Sequence, residues 1–212
     1  MTDERTVAFL RVLDPDDNST GGGSASALAG AMAAALAAMV ARLSMGVGGG
    51  ADSLYTEIAT EGGALAEELR AGGGEDASAF DGVMSAYRLP KDTEEARASR
   101  GAAIRRAMAQ ATRVPLRNAE RCAAVQALVR RLEARSNPRA LSDLQSAAYL
   151  AEAGLRGCLA NVDINLAGVR DEEAAAEIRE RAQALRSAAL AAGAAWAALA
   201  PDARTTTAAS RS

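Results

Sequence analysis

With no histidine among its 212 residues, this chain has to run any acid–base chemistry on carboxylates, lysine or tyrosine. The same absence removes Ser-His and Cys-His nucleophile pairs and the usual transition-metal ligand. Two carboxylates stand out. Asp76 sits one turn before Phe80 on the face that also carries Val83, Met84 and Tyr87, and a carboxylate on an inner helix face needs a partner. Asp143 interrupts an apolar stretch in Ser142-Asp143-Leu144-Gln145. Both also have a structural reason to exist, because negative charge is favourable in a helix's first turn. Lys91 is the one lysine among 24 basic residues, so 24 less 1, or 23, are arginine. It reads either as a surface residue ahead of a helix or as a site that wants a compact, titratable ammonium.

Asn161 and Asn165, at i and i+4, place two amides on one helix face amid apolar neighbours, where they bridge helices or orient a ligand. Gly21, Gly22 and Gly23 run straight into Ser24 and an Ala-rich helix. The glycines are free to adopt positive φ, Ser24 suits an N-cap, and the helix start is a place for an anion or polar ligand. A plain flexible cap on a buried helix is the competing reading. Asp143 and Asn161 are 18 residues apart, roughly 27 Å along a straight helix, so one pocket in one subunit does not hold both. An antiparallel two-fold dimer would bring the second protomer's helix end across.

The elements that must position these groups are helical throughout. A short amphipathic lead-in is expected over residues 4–13, then a loop to Gly23. The first long helix spans Ser24 to Ser44, with Leu28, Met32, Leu36, Met39, Val40 and Leu43 at helical spacing and small alanines between them that let other helices approach closely. A second helix runs to about Ala71, and Gly72–Gly74 separate it from a third over residues 75–87. Asp92 followed by Glu95 suggests a capping box for a helix that reaches about Arg135, with a kink or break before Pro115. Another helix spans Pro138 to Ala167, and a last one, opened by Asp171, runs toward Pro201. The expected fold is therefore all-α, a single-domain up-and-down bundle of about five to seven helices over residues 1–200, with a disordered tail at 201–212.

Composition bounds the rest. At 49% hydrophobic but only 3% aromatic, the core must be built from Ala, Leu and Val in tightly packed helices. A net charge of −3 argues against nucleic acid or an anionic membrane as the main partner. Arg, Glu or Gly interrupt the Ala-rich runs before an apolar span is reached, and no N-terminal leader pattern is seen, so a soluble cytoplasmic protein is expected. Cys122 and Cys158 fall 36 residues apart outside any CxxC pair and read as small core residues in a reducing compartment.

Five segments, taken in order, resemble one family. They are GGGSASALAGAMAAAL (21–36), EDASAFDGVMSAYRLPKDTEE (75–95), RVPLRNAE (113–120), SNPRALSDLQSAA (136–148) and LRGCLANVDINLAGVRDE (155–172). The resemblance is to the formiminotetrahydrofolate cyclodeaminase and methenyltetrahydrofolate cyclohydrolase group, and it covers the chain to about residue 190. It implies an all-helical homodimer acting on a tetrahydrofolate derivative as substrate, with no covalent cofactor and no metal. The implied reaction is loss of ammonia from the 5-formimino form with ring closure, or hydrolysis of the 5,10-methenyl bridge. Carried over by motif, Asp143, Asp76 and Lys91 are the catalytic candidates. Gly21, Gly22, Gly23, Ser24, Ser142, Asn161 and Asn165 line the substrate site. The sequence departs from the pattern at 46–55, where a basic segment suited to a folate's glutamate tail is replaced by glycines, leaving Tyr55 and, nearby, Arg42. A non-catalytic folate-binding or scaffold bundle is the alternative that this departure keeps open.

Overall fold

Amphipathic Ala- and Leu-rich segments with few β-branched residues fold here into helices joined by short connections. The computed structural model describes residues 21–199, with side chains to residue 189. Five α-helices follow in order: α1 (Gly22–Ser44), α2 (Asp52–Tyr87), α3 (Glu94–Leu132), α4 (Leu141–Leu166) and α5 (Glu172–Leu199), with a 3-10 turn at Pro138–Ala140 leading into α4. No strand occurs among the described residues, so the all-α expectation holds. The lead-in at 4–13 and the tail at 201–212 lie outside the described residues.

α1 is the central helix, and it inverts the expected pattern. Its small residues are inside: Ala27, Gly30, Ala33, Ala34, Ala37 and Ala41 are buried, and among the larger ones only Val40 joins them fully. Leu28, Met32 and Leu43 are 43%, 52% and 50% exposed. The cause is crowding, since α1 packs against α2, α4 and α3 together. A methyl added at Gly154 of α4 would lie 2.8 Å from the Ser26 carbonyl oxygen, and one at Gly62 of α2 would lie 3.1 Å from the Ala34 carbonyl oxygen. At such separations only small side chains fit between the backbones, and the large ones are pushed to the free face. Contrary to the expected interruptions, α1 is long and apolar enough by length and composition to cross a membrane, with an 18-residue window of mean hydropathy 1.8. Half of that window is buried in the bundle.

α2 runs unbroken through Gly72–Gly74, where a break was expected. The glycines serve close approach: a methyl at Gly72 would overlap the Asn118 side chain, which instead reaches in and donates from Nδ2 to the Gly72 carbonyl at 3.1 Å. Gly73 faces Ser24 of α1. Burial of these contacts outweighs the ~1 kcal/mol that each helical glycine costs relative to alanine. α3 likewise continues through Pro115. Proline has no N–H for the Ala111 carbonyl, and that carbonyl accepts instead from Asn165 Nδ2 of α4 at 2.8 Å. The α3 N-cap is Thr93, whose Oγ1 accepts from the Ala96 N–H at 3.1 Å, in place of the expected Asp92. Asp171 caps α5 through the Ala174 N–H, as expected.

Cys122 and Cys158 are free and fully buried in the core that α1, α3, α4 and α5 share. The Cys158 thiol is pushed far up by its hydrogen bond with Cys122 and by burial, which removes it as a nucleophile.

Candidate active site

Where α1 begins, four helices leave a cavity of about 300 Å³. Gly21, Gly22 and Gly23 form one rim; Asp76, Ala77, Phe80 and Val83 of α2 form the facing wall; Ala111 of α3 with Asn161, Ile164 and Asn165 of α4 complete it. On α2, positions 76, 80 and 83 recur at i, i+4 and i+7, so one face delivers a carboxylate and an apolar wall together. On α4, Asn161 and Asn165 do the same with two amides.

Asp76 is the ionisable side chain among the described residues that line this cavity. Its carboxylate lies against the first turn of α1, where it takes hydrogen bonds from the Ser24 backbone N–H and the Ser24 hydroxyl, the latter at 3.5 Å. That hydroxyl has one hydrogen to share, and its nearer acceptor is the Gly73 carbonyl at 2.9 Å, which ties the start of α1 to α2. Burial nonetheless dominates and raises the Asp76 pKa above its ordinary value, against the opposing pull of both Ser24 bonds. A carboxyl group held this way is a better proton donor and acceptor near neutrality than an exposed aspartate.

The glycine rim works by space rather than by unusual backbone. Among the described glycines only Gly46 has positive φ; Gly21 is extended, at φ −104°. A methyl at Gly23 would overlap both carboxylate oxygens of Asp76. The helix starts at Gly22 with Gly21 as N-cap, so Ser24, expected as the cap, sits three residues in and turns its hydroxyl toward α2 instead.

The two asparagines are partly committed. Asn161 donates from Nδ2 to the Gly157 carbonyl of its own helix at 2.8 Å, and Asn165 holds the Ala111 carbonyl that Pro115 frees. Neither amide oxygen has a hydrogen-bond partner among the described residues, which leaves each for a ligand. Phe80, Val83, Ala77, Ala111 and Ile164 line the site without having been singled out for it. Helical spacing from Asp76 and Asn161 points to Phe80, Val83 and Ile164; Ala111 is reached only through tertiary packing.

Gly21, Gly22, Gly23, Ser24, Asp76, Asn161 and Asn165 therefore meet at one place, and Lys91, Ser142 and Asp143 do not join them in this chain. Lys91 is exposed in the α2–α3 connection, where its carbonyl accepts from Arg97 at 3.2 Å. Ser142 and Asp143 occupy the first turn of α4, which is unbroken from Leu141 to Leu166, so Asp143 stands roughly 27 Å along the helix from Asn161. Tyr55, considered for a folate tail, is fully buried: it accepts from the Gly50 N–H at 2.8 Å and donates to the Arg135 carbonyl at 2.5 Å. Arg42 is exposed in the last turn of α1. No group of three or more His, Cys, Asp or Glu side chains suited to a metal occurs among the described residues.

Residues 6–184 match the family described as formiminotransferase-cyclodeaminase. A methenyltetrahydrofolate cyclohydrolase from Methylorubrum extorquens is 38% identical over 184 residues, covering 82% of this chain and 85% of the relative. Formimidoyltransferase-cyclodeaminases from Rattus norvegicus and Sus scrofa are 33% and 40% identical over 87% and 52% of this chain. The chain spans only 35% and 20% of those longer proteins. The crystal structure of a formiminotetrahydrofolate cyclodeaminase from Thermotoga maritima shares the fold, with a TM-score of 0.78 over 91% of each chain at 23% identity.

Proposed function

The chain belongs to the formiminotransferase-cyclodeaminase family, and on that premise we propose that it is a one-carbon enzyme acting on tetrahydrofolate at the Asp76 cavity. The observation that carries the reading is Asp76 itself: a carboxyl of raised pKa, held on a helix start and facing a cavity walled by Phe80 and two amides. Hydrolysis of the 5,10-methenyl bridge is the first reaction assigned, because the match to the Methylorubrum cyclohydrolase runs over most of both chains.

The chemistry fits one carboxyl. The methenyl carbon is part of a delocalised cation, so an ionised Asp76 stabilises the substrate's charge and takes a proton from the attacking water. The resulting tetrahedral carbon carries a hydroxyl and bonds to N5 and N10. Asp76 returns its proton to N5 as the N5–carbon bond breaks, leaving the formyl group on N10 and releasing one net proton. Phe80 and Val83 supply an apolar surface for the pterin, and Asn161 and Asn165 offer amide oxygens to its N–H groups.

Deamination is the second reading, favoured by the relatives named cyclodeaminase. There N10 attacks the formimino carbon, and the same carboxyl protonates the departing amine. Offering both substrates to the purified protein and following the methenyl absorbance separates the two, with decay indicating hydrolysis and growth indicating deamination. Silence with both substrates sinks the assignment. The cavity chemistry does not favour a non-catalytic scaffold.

The enzyme works as a homodimer in this reading. Leu28, Met32 and Leu43, with Leu36 and Met39 beside them, leave an apolar stripe along the outer face of α1. The start of α4 lies at the far end of that helix, where Asn137 bonds the Leu43 carbonyl and Ser44. Antiparallel pairing on the stripe carries the partner's Asp143 and the partner's Ser142 toward the Asp76 cavity, which gives these residues a site to serve. Met32→Glu is expected to yield monomers by light scattering and to lower turnover sharply; a dimeric, fully active variant removes the arrangement. Two thiols lying unoxidised side by side fit a reducing, cytoplasmic setting.

A further inference from the structure

Five arginines of this bundle tie one helix to another through carboxylates. Arg117 pairs with Glu75, Arg121 with Glu68, Arg131 with Glu57 and Glu61, Arg181 with Glu120 and Glu177, and Arg186 with Asp163. Four others gather without a carboxylate partner among the described residues. Arg105, Arg106 and Arg113 of α3 and Arg170 of the α4–α5 connection line a second cavity of about 430 Å³, larger than the one at Asp76. All four are exposed.

Arg106, Gln110 and Arg113 fall within one turn-spaced face of α3, with about 10 Å of helix rise between the α carbons of the two arginines. Among the described residues Asp171 is the only acid on the lining, and its carboxylate already caps α5 through the Ala174 N–H. Guanidiniums that line one cavity repel one another less when an anion sits among them, and their planar forks suit carboxylate and phosphate oxygens two at a time. We propose that this cavity is a binding site for a multiply charged anion, a molecule carrying two or more carboxylate or phosphate groups, which bridges Arg106, Arg113 and Arg170 beside the Gln110 amide. It neighbours the Asp76 cavity: Ala111 lines one and Gln110 the other, and Asn165 and Arg170 are about one turn apart in sequence. The ligand is thus either the anionic tail of a molecule seated at Asp76 or a separate small polyanion.

Calorimetric titration with pyrophosphate, tricarballylate and a tri-glutamate peptide tests the site without calling on any folate activity. The intact protein is expected to bind at least one of them saturably, more weakly as salt rises from about 50 to about 300 mM. The double variant Arg106→Gln, Arg113→Gln should lose roughly tenfold or more of that affinity, while Arg179→Gln, an exposed arginine elsewhere on α5, should not. Unchanged melting curves would show that all variants fold. The two sources then separate on KM. A rise in the double variant for a triglutamyl but not a monoglutamyl folate identifies the tail, and unchanged KM values with lost pyrophosphate binding identify a separate anion. Absence of saturable binding of all three probes, or equal affinity in the double variant, overturns the site.

Discussion

α1 has a glycine-rich connection at each end, and the two do opposite things. At Gly21–Gly23 the missing side chains let a carboxylate from α2 press onto the helix start, leaving Asp76 half-desolvated beside an open cavity. At Gly46–Gly50 the space is filled from within by Tyr55, which satisfies the Gly50 N–H and the Arg135 carbonyl, while Ser44 and Asn137 bond each other across the gap. One end holds an ionisable group where charge is costly; the other leaves its polar groups matched. Glycine in sequence therefore says only that something comes close, and whether that something is reactive depends on what the neighbouring helix carries.

The largest effect that tests this contrast is expected from Asp76→Asn, which should slow turnover by about 10²–10⁴-fold while the helical circular dichroism is kept. Because folding raises the pKa of Asp76 above 3.8, the stability linked to its proton is fully present below that value and is lost as pH rises through the folded pKa. The Asn variant escapes that loss, so its melting temperature at neutral pH should match or exceed the parent's, and a large fall in stability there would contradict the account of Asp76. The rate of the parent should drop toward acid at a pH above the ordinary aspartate range.

Next comes a matched pair of glycine substitutions. Gly23→Ala puts a methyl onto the Asp76 carboxylate, and Gly48→Ala puts one onto the Tyr55 hydroxyl. Each should cost about 1–3 kcal/mol in urea unfolding, but only the first should also slow turnover. Equal kinetic damage from both would erase the distinction between the ends. Tyr55→Phe, which strands the Gly50 N–H and the Arg135 carbonyl, should likewise cost about 1–3 kcal/mol with the rate retained. The smallest effect is a coupling. Asn165→Ala should destabilise the parent by about 1 kcal/mol or more, but much less once Pro115→Ala has given the Ala111 carbonyl a partner in its own helix.

Helical periodicity made much of this readable in advance. The ranges of α1, α4 and α5 follow from spacing and from Asp171, and the i, i+4 pairing of Asp76 with Phe80 and of Asn161 with Asn165 foretold which side chains share a wall. What failed has one physical cause, that close neighbours override local preference. Gly72–Gly74 looked like a break because the Asn118 side chain that needs the room lies 46 residues away. Pro115 looked like a kink because its substitute donor comes from another helix. Leu28, Met32 and Leu43 looked like core because spacing reports a face, not which face is buried. Tyr55 and Asp143 were misjudged or left open for the same reason, since their surroundings are set by contacts from other elements.

The crowded inner face of α1 also carries a cost in time. On the ribosome this helix emerges before the helices that enclose it, and its cover is complete only when α4 ends at Leu166, about 120 residues after Ser44. At about 5–20 residues per second that is roughly 6–24 s during which an apolar segment of mean hydropathy 1.8 waits uncovered. The yield of folded protein should then depend on how quickly residues 45–166 are translated and on whatever shields the nascent helix meanwhile.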